Sequence, residues 1–409
     1  MYIQRDLEPV IKKNLSGPEY IAVIGARQAG KTTLLRHIQE NIKDSAFLTF
    51  EDVEIRDLFD TDIKSFINLF IEPHSVIFID EFQYAKNGGM SLKFVYDTVP
   101  GKKILVSGSS ALDLTISAVK HMVGRLFCFT LYPLSFREFL GHKDPELFRI
   151  LVTSAGKRHL EHPLLKRFHR HLDEYVVFGG YPRIALARDD EERRTILKNI
   201  FNIYLLRDVR DVLGLIDDYK MLNLAKALAL QVGNIVSFQE LCMLVQESLP
   251  AVKKHLNLLE KTFILRLVKP YFTNKRTELV KNPKVYFLDS GLRNSIIDDF
   301  RSLGGRSDRG ALLENFHFSE FMKMEREVKY WRTRSKAEVD FIVDEKIPVE
   351  VKSSLSRPVP GKSLYSFIEK YDPAEAIVLN NDIYKQMKIG KTPVRFIYHF
   401  SDYFSARRK

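Results

Sequence analysis

Between residues 20 and 135, short apolar runs alternate with helix-patterned segments, in the order YIAVIG, KTTLLRHIQENI, AFLTFED, SVIFIDEFQ, KKILVSGSS and LFCFTLYPL. Apolar runs too short for helices, separated by stretches with helical periodicity, predict a parallel sheet with crossover helices. Over 142–225 the strand pattern gives way to helical, charged and aromatic sequence, broken at Gly179, Gly180 and Pro182. That change predicts a second, helical unit. From Ile235 to Leu292, Ser237 and Glu240 form a capping box before the short helix FQELCMLV, and Pro250 opens a second helix, AVKKHLNLLEKTFI. Two basic strands, LRLVKPYF and KVYFLD, joined by TNKRTELVKNP, then read as a hairpin wing completing a winged helix-turn-helix. Gly304, Gly305 and the charges through 309 mark a linker. The pattern therefore divides the chain into 1–141, 142–225, 226–303 and 304–409.

Composition narrows the class of protein. At 409 residues the chain is too long for one core. With 45% hydrophobic and 28% charged residues, and no apolar run near the ~20 residues of a membrane span, no membrane role is expected. The charged amino terminus lacks a signal peptide's apolar stretch, and Cys128 and Cys242 are the only cysteines, so a reduced, cytoplasmic setting is expected. The formal net charge of +11 favours polyanionic partners such as DNA, with a merely soluble Lys-rich surface as the alternative.

The strongest chemical signal follows YIAVIG. Gly25, Ala26, Arg27, Gln28, Ala29, Gly30, Lys31 and Thr32 spell GxxxxGKT between a strand and a helix, with Thr33 next. Such a loop turns backbone N–H groups toward phosphate oxygens, the following helix presents its positive end, and Lys31 reaches the β- and γ-phosphates of ATP. Thr32 is expected to ligate Mg2+. In VIFIDE, a buried strand ends at Asp80, expected to hold the magnesium through water, and Glu81, expected to act as base on the attacking water. KKILVSGSS ends in Ser107, Ser109 and Ser110, of which Ser109 is the chosen γ-phosphate sensor, against a plain turn serine. Arg125 is a candidate for stabilising the transition state, in cis or from a neighbouring subunit, with a surface ion pair as the alternative.

The combination GARQAGKTT, IFIDEFQ, SGSSA, GRLFCFTLYPLSFREFL and FGGYP resembles the prokaryotic AAA-type ATPases that carry a carboxyl-terminal domain of unknown function. The resemblance covers nearly the whole chain. It implies an α/β fold: a P-loop NTPase parallel sheet with a helical lid, then a winged helix, then a restriction-endonuclease-like domain. Ring assembly as a homo-oligomer is plausible by resemblance alone.

Residues 328–354, VKYWRTRSKAEVDFIVDEKIPVEVKSS, read as three strands carrying D-x9-E-x-K. Asp340, Glu350 and the Val351 carbonyl would hold a magnesium ion, Lys352 would favour a hydroxide nucleophile, and alternation puts Glu350 with Lys352 and Glu338 with Asp340. Glu314, on a helix upstream, would add a carboxylate. The pattern resembles the PD-(D/E)xK nuclease superfamily, and the alternative is a structural charge network. Two functions are consistent with these signals: an ATPase that couples hydrolysis to DNA binding and cleavage, or a nucleotide-gated switch that binds DNA or a protein and never cuts.

Overall fold

The computed structural model describes residues 2–108, 121–154, 160–204 and 218–401. The chain forms two compact units, one of Met1–Leu134 with Lys261–Phe263, the other of Ser135–Glu260 with Ile264–Lys409.

The first unit is built on five parallel strands, β1 (Tyr20–Ile24), β2 (Ser45–Thr49), β3 (Val76–Asp80), β4 (Lys103–Gly108) and β5 (Leu126–Thr130). They lie in the order β2-β3-β4-β1-β5. Alternate residues of β1 enter different cores. Tyr20 and Ala22 pack with Phe50, Phe59 and Phe66, whereas Ile21 and Val23 pack with Leu34, Leu35 and Ile38. Both faces of β1 are thus covered, which is why it reads as a continuous apolar run. Helix α1 (Glu8–Lys13) and helix α2 (Lys31–Gln39) contribute Ile11 and Leu34 to one of these cores.

The second unit begins with helices α3 (Phe136–Lys143), α4 (Pro145–Ser154), α5 (His162–Phe178) and α6 (Asp190–Tyr204). Helices α7 (Asp218–Leu230), α8 (Phe238–Val245) and α9 (Leu249–Lys261) follow, then the antiparallel strands β6 (Leu265–Val268) and β7 (Lys284–Phe287). The connection between β6 and β7 is not a simple hairpin. It contains helix α10 (Lys275–Val280), whose Glu278 takes a 3.0 Å bond from Lys329. Helix α11 (Ser290–Ile296) is clamped to α5 through Asn294, which donates to the Val176 and Val177 carbonyls.

The carboxyl-terminal part places helix α12 (Arg309–Lys323) before β8 (Val328–Arg332), β9 (Glu338–Val343) and β10 (Ile347–Val351). Helix α13 (Lys362–Tyr371), β11 (Ala376–Asn380), β12 (Lys385–Ile389) and β13 (Thr392–Tyr398) complete it. The sheet order is β12-β13-β11-β10-β9-β8, with β10, β11 and β13 parallel and the other neighbours antiparallel. Trp331 lies in its core against Phe367. The fold is therefore α/β: a parallel five-stranded sheet, a helical region and a mixed carboxyl-terminal sheet.

Candidate functional sites

Because the five strands of the first unit are parallel, the segments leaving their carboxyl ends share one edge, where ligands of open α/β sheets bind. Residues 25–30 leave β1 there. The backbone of this loop is unusual. Gly25 and Gly30 have φ of 156° and 96°, Gln28 has φ of 59°, and a Cβ on Gly25 would lie 2.1 Å from the Leu131 carbonyl oxygen. A side chain at Gly25 is excluded by both strain and contact. Ala26 and Ala29 are buried, Arg27 and Gln28 partly so. Lys31, Thr32 and Thr33 form the first turn of α2, with Thr33 exposed. The Lys31 ammonium donates to the Gly25 and Ala26 carbonyls at 3.0 and 2.8 Å, so it lies against the loop that would cradle phosphates.

Asp80 ends β3, two strands away from β1. The Thr32 hydroxyl donates to its Oδ2 at 2.6 Å, and the Ser107 hydroxyl donates to its Oδ1. A hydroxyl and a carboxylate are hard oxygen donors of the kind Mg2+ takes, so Thr32 and Asp80 together could hold that ion. Ser107 is fully buried at the end of β4, the strand lying between β1 and β3. Sequence reasoning chose Ser109, which lies outside the described residues; strand register would have favoured Ser107, since pairing of Ile79 with Val106 sets Asp80 beside it. Glu81 is half-buried, takes a hydrogen bond from Gln83, and has a left-handed backbone, with φ of 53°. A non-glycine residue held there stores strain, a feature concentrated at functional sites.

Arg125 is elsewhere. Its carbonyl accepts from the Tyr20 N–H at the start of β1, and its guanidinium pairs with Asp97 at 3.1 Å over the Tyr96 ring. The length of a five-residue strand, about 16 Å, separates that edge from the loop. An in cis finger therefore has no geometric basis, and the surface ion pair is what the structure contains.

In the second unit, the residues expected at a carboxyl-terminal metal site do converge, but on each other and on a lysine. Asp340 Oδ2 accepts from the Val351 N–H at 2.7 Å; Glu350 pairs with Lys352 at 2.8 Å and accepts from the Gly361 N–H at 3.2 Å. Glu314 accepts from the Tyr286 hydroxyl at 3.1 Å. Into this group β7 inserts Lys284, buried, whose ammonium lies 2.5 Å from Glu338 and 3.9 Å from Glu314. Burial first, then the neighbouring Glu314 carboxylate, pushes Asp340 up to about 8. Burial likewise raises Glu314, against the pull of Lys284. Burial alone would lower Lys284, but Glu314, Glu338 and Asp340 outweigh it and raise it.

Among the described residues, no three His, Cys, Asp or Glu side chains are grouped to hold a metal. In this arrangement Glu314 accepts from Tyr286, Asp340 from the Val351 N–H and Glu350 from the Gly361 N–H, while Lys352 pairs with Glu350 and Lys284 lies beside Glu338. Lys284 was missed at the sequence level, where it read as a basic wing residue. It is buried, and Lys275 of the same connection is tied to Glu345, so neither is a free basic side chain. Helix α9, by contrast, exposes Lys253, Lys254 and Asn257.

No helix among the described residues is long and apolar enough to cross a membrane. Comparison with known proteins finds three family models along the chain. Residues 18–140 match the AAA domain, residues 169–303 a domain of unknown function (DUF8612), and residues 309–397 another (DUF4143). The chain is similar to an uncharacterized protein of Haemophilus influenzae, 26% identical over 404 residues and covering 93% of each chain. It is also similar to an uncharacterized protein of Methanocaldococcus jannaschii, 26% identical over 355 residues, 83% of this chain and 75% of that one. Among solved structures, a Walker-type ATPase of Pyrococcus abyssi aligns with 72% of this chain and 96% of its own, at 14% identity and a TM-score of 0.48. The chain thus carries an AAA domain, which implies ATP binding, followed by two domains of unknown function.

Proposed function

We propose that the protein is a magnesium-dependent ATPase. The observation that carries this reading is the 2.6 Å bond from Thr32 to Asp80, which joins the helix after the phosphate loop to the end of β3, with Glu81 adjacent. Lys31 would hold the β- and γ-phosphates, Thr32 and Asp80 the metal, and Glu81 would orient the attacking water and accept its proton. Bound magnesium would neutralise phosphate charge. The test is MgATP turnover. Lys31→Ala should abolish binding or turnover, and Glu81→Gln should bind ATP while losing on the order of 10²- to 10⁴-fold in kcat. Turnover unchanged in both variants would mean the site is wrongly assigned.

For the carboxyl-terminal domain, the geometry favours a switch that does not cut. Insertion of Lys284 among Glu314, Glu338 and Asp340 supports a charge network over a nuclease centre. The ATPase would then gate binding of DNA, through the exposed basic face of α9, or of a protein partner. Supercoiled and branched DNA incubated with Mg2+ or Mn2+, with and without ATP, should remain intact. Cleavage that disappears in both Asp340→Ala and Lys352→Ala would restore the nuclease reading. Lys253→Glu with Lys254→Glu should weaken DNA binding and flatten its salt dependence; unchanged affinity would remove α9 as a DNA-binding face.

A further inference from the structure

Arg5 precedes α1 and belongs to none of the motifs above. It is 5% exposed, and its two terminal nitrogens bond two different segments of the chain. Nη1 donates to the Ala29 carbonyl at 2.7 Å and Nη2 to the Tyr132 carbonyl at 2.6 Å. Ala29 lies within the phosphate loop. Tyr132 follows Leu131, whose N–H donates to the Ile24 carbonyl at 2.7 Å and whose own carbonyl oxygen excludes a side chain at Gly25. One guanidinium therefore ties the second half of the loop to the segment that already confines its first residue.

The physical need for such a tie follows from how the loop works. A loop that turns N–H groups toward an anion turns carbonyls away from it, and a buried carbonyl left without a donor is costly. Lys31 serves the Gly25 and Ala26 carbonyls, yet it is also the side chain that a bound phosphate would draw away. Arg5 serves the Ala29 carbonyl from a segment outside the loop. Its planar fork holds two acceptors in a fixed relation, which the point charge of a lysine does not, and it keeps a permanent positive charge near the loop.

We propose that Arg5 is a positioning residue for nucleotide binding, holding the phosphate loop in its receptive shape from outside the phosphate-binding motif. The inference rests on the ATPase reading above, and its test separates the two. Binding of a fluorescent ATP analogue and steady-state turnover would be measured for wild type, Arg5→Ala, Arg5→Gln, Arg5→Lys and Lys12→Ala, the last a control on α1. Arg5→Ala should raise Kd and KM on the order of 10- to 100-fold while kcat stays within about 3-fold, the pattern of lost binding with intact chemistry. Arg5→Lys should recover part of the loss, and Lys12→Ala should match wild type. A role limited to stability would instead lower the melting temperature and the active fraction at unchanged KM, and that result would overturn the proposal, as would a wild-type Kd in Arg5→Ala. If Arg5→Ala does not fold, the order of KM in wild type, Arg5→Lys and Arg5→Gln decides, and equal values reject the role. Failure of the wild type to bind ATP would overturn the nucleotide reading itself.

Discussion

The ammonium of Lys284 lies 2.5 Å from the Glu338 carboxylate, so a residue of β7 supplies a positive charge to a carboxylate of the β8–β13 sheet. The same region of the sheet carries Asp340, which accepts from the Val351 N–H, and Glu350, which pairs with Lys352. Removing Lys284 takes a buried counter-ion from Glu314 and Glu338, although Arg332 remains 3.4 Å from Glu338. Lys284→Met should destabilise the second unit by about 3–5 kcal/mol in chemical denaturation. A loss well under 1 kcal/mol would show that the carboxylates do not depend on this lysine.

Asp340 gives the same network a pH signature. Its folded pKa, pushed up to about 8 chiefly by burial, exceeds its unfolded value of about 4. A group raised in this way takes up a proton on folding. Its contribution is full below about pH 4 and is lost as pH rises through about 8. Wild-type stability should therefore carry a component that falls across that window, and Asp340→Asn should remove it. Parallel stability profiles for the two proteins would refute the assignment.

Ser107 holds one oxygen of Asp80 while Thr32 holds the other. Ser107→Ala removes one of these two bonds on Asp80 without touching the phosphate loop. We expect ATP turnover to fall roughly 10-fold with little change in nucleotide affinity, the cost of one positioning hydrogen bond to a charged group. Steady-state kinetics would detect this, and equal kcat in the two proteins would assign Asp80's orientation to Thr32 alone.

Arg125 and Asp97 form a partly exposed ion pair, with side chains 34% and 43% exposed. Arg125→Ala should cost at most about 1 kcal/mol and leave turnover at the wild-type level. A large loss of turnover, rescued by mixing with a Lys31→Ala subunit that retains Arg125, would instead establish a finger acting between subunits.

Gly179 ends α5 with φ of 79°, and a Cβ there would lie 2.1 Å from Asp289 Oδ1. Asp289 also accepts from the Gly180 N–H at 2.7 Å and the Leu292 N–H at 2.8 Å, capping α11. FGGYP is thus a packing motif that brings two backbones against one buried carboxylate. Gly179→Ala should destabilise the second unit by more than about 2 kcal/mol, whereas Arg188→Ala, on an exposed ion pair, should stay within about 0.5 kcal/mol. Equal melting curves for the two variants would contradict this account.

The sequence alone determined what depends on contiguous residues. Five apolar runs became five strands, with β1, β3 and β4 the buried ones, and the spacing of Gly25, Gly30, Lys31 and Thr32 described a loop whose backbone conformation is local. Likewise Ser237 caps α8 because an N-cap bond spans only three residues. What depends on partners distant in the chain was decided by tertiary structure. Whether Ser107 faces Asp80 depends on which strands neighbour β4, and whether Arg5 reaches Ala29 depends on where the amino-terminal segment lies. The largest difference concerns Lys284. As a sequence residue it is one basic side chain in a basic wing, indistinguishable from its exposed neighbours. Burial beside Glu338, 54 residues further along, makes it a counter-ion and changes the reading of the carboxylates around it, because a charge's role is set by what surrounds it once water is removed.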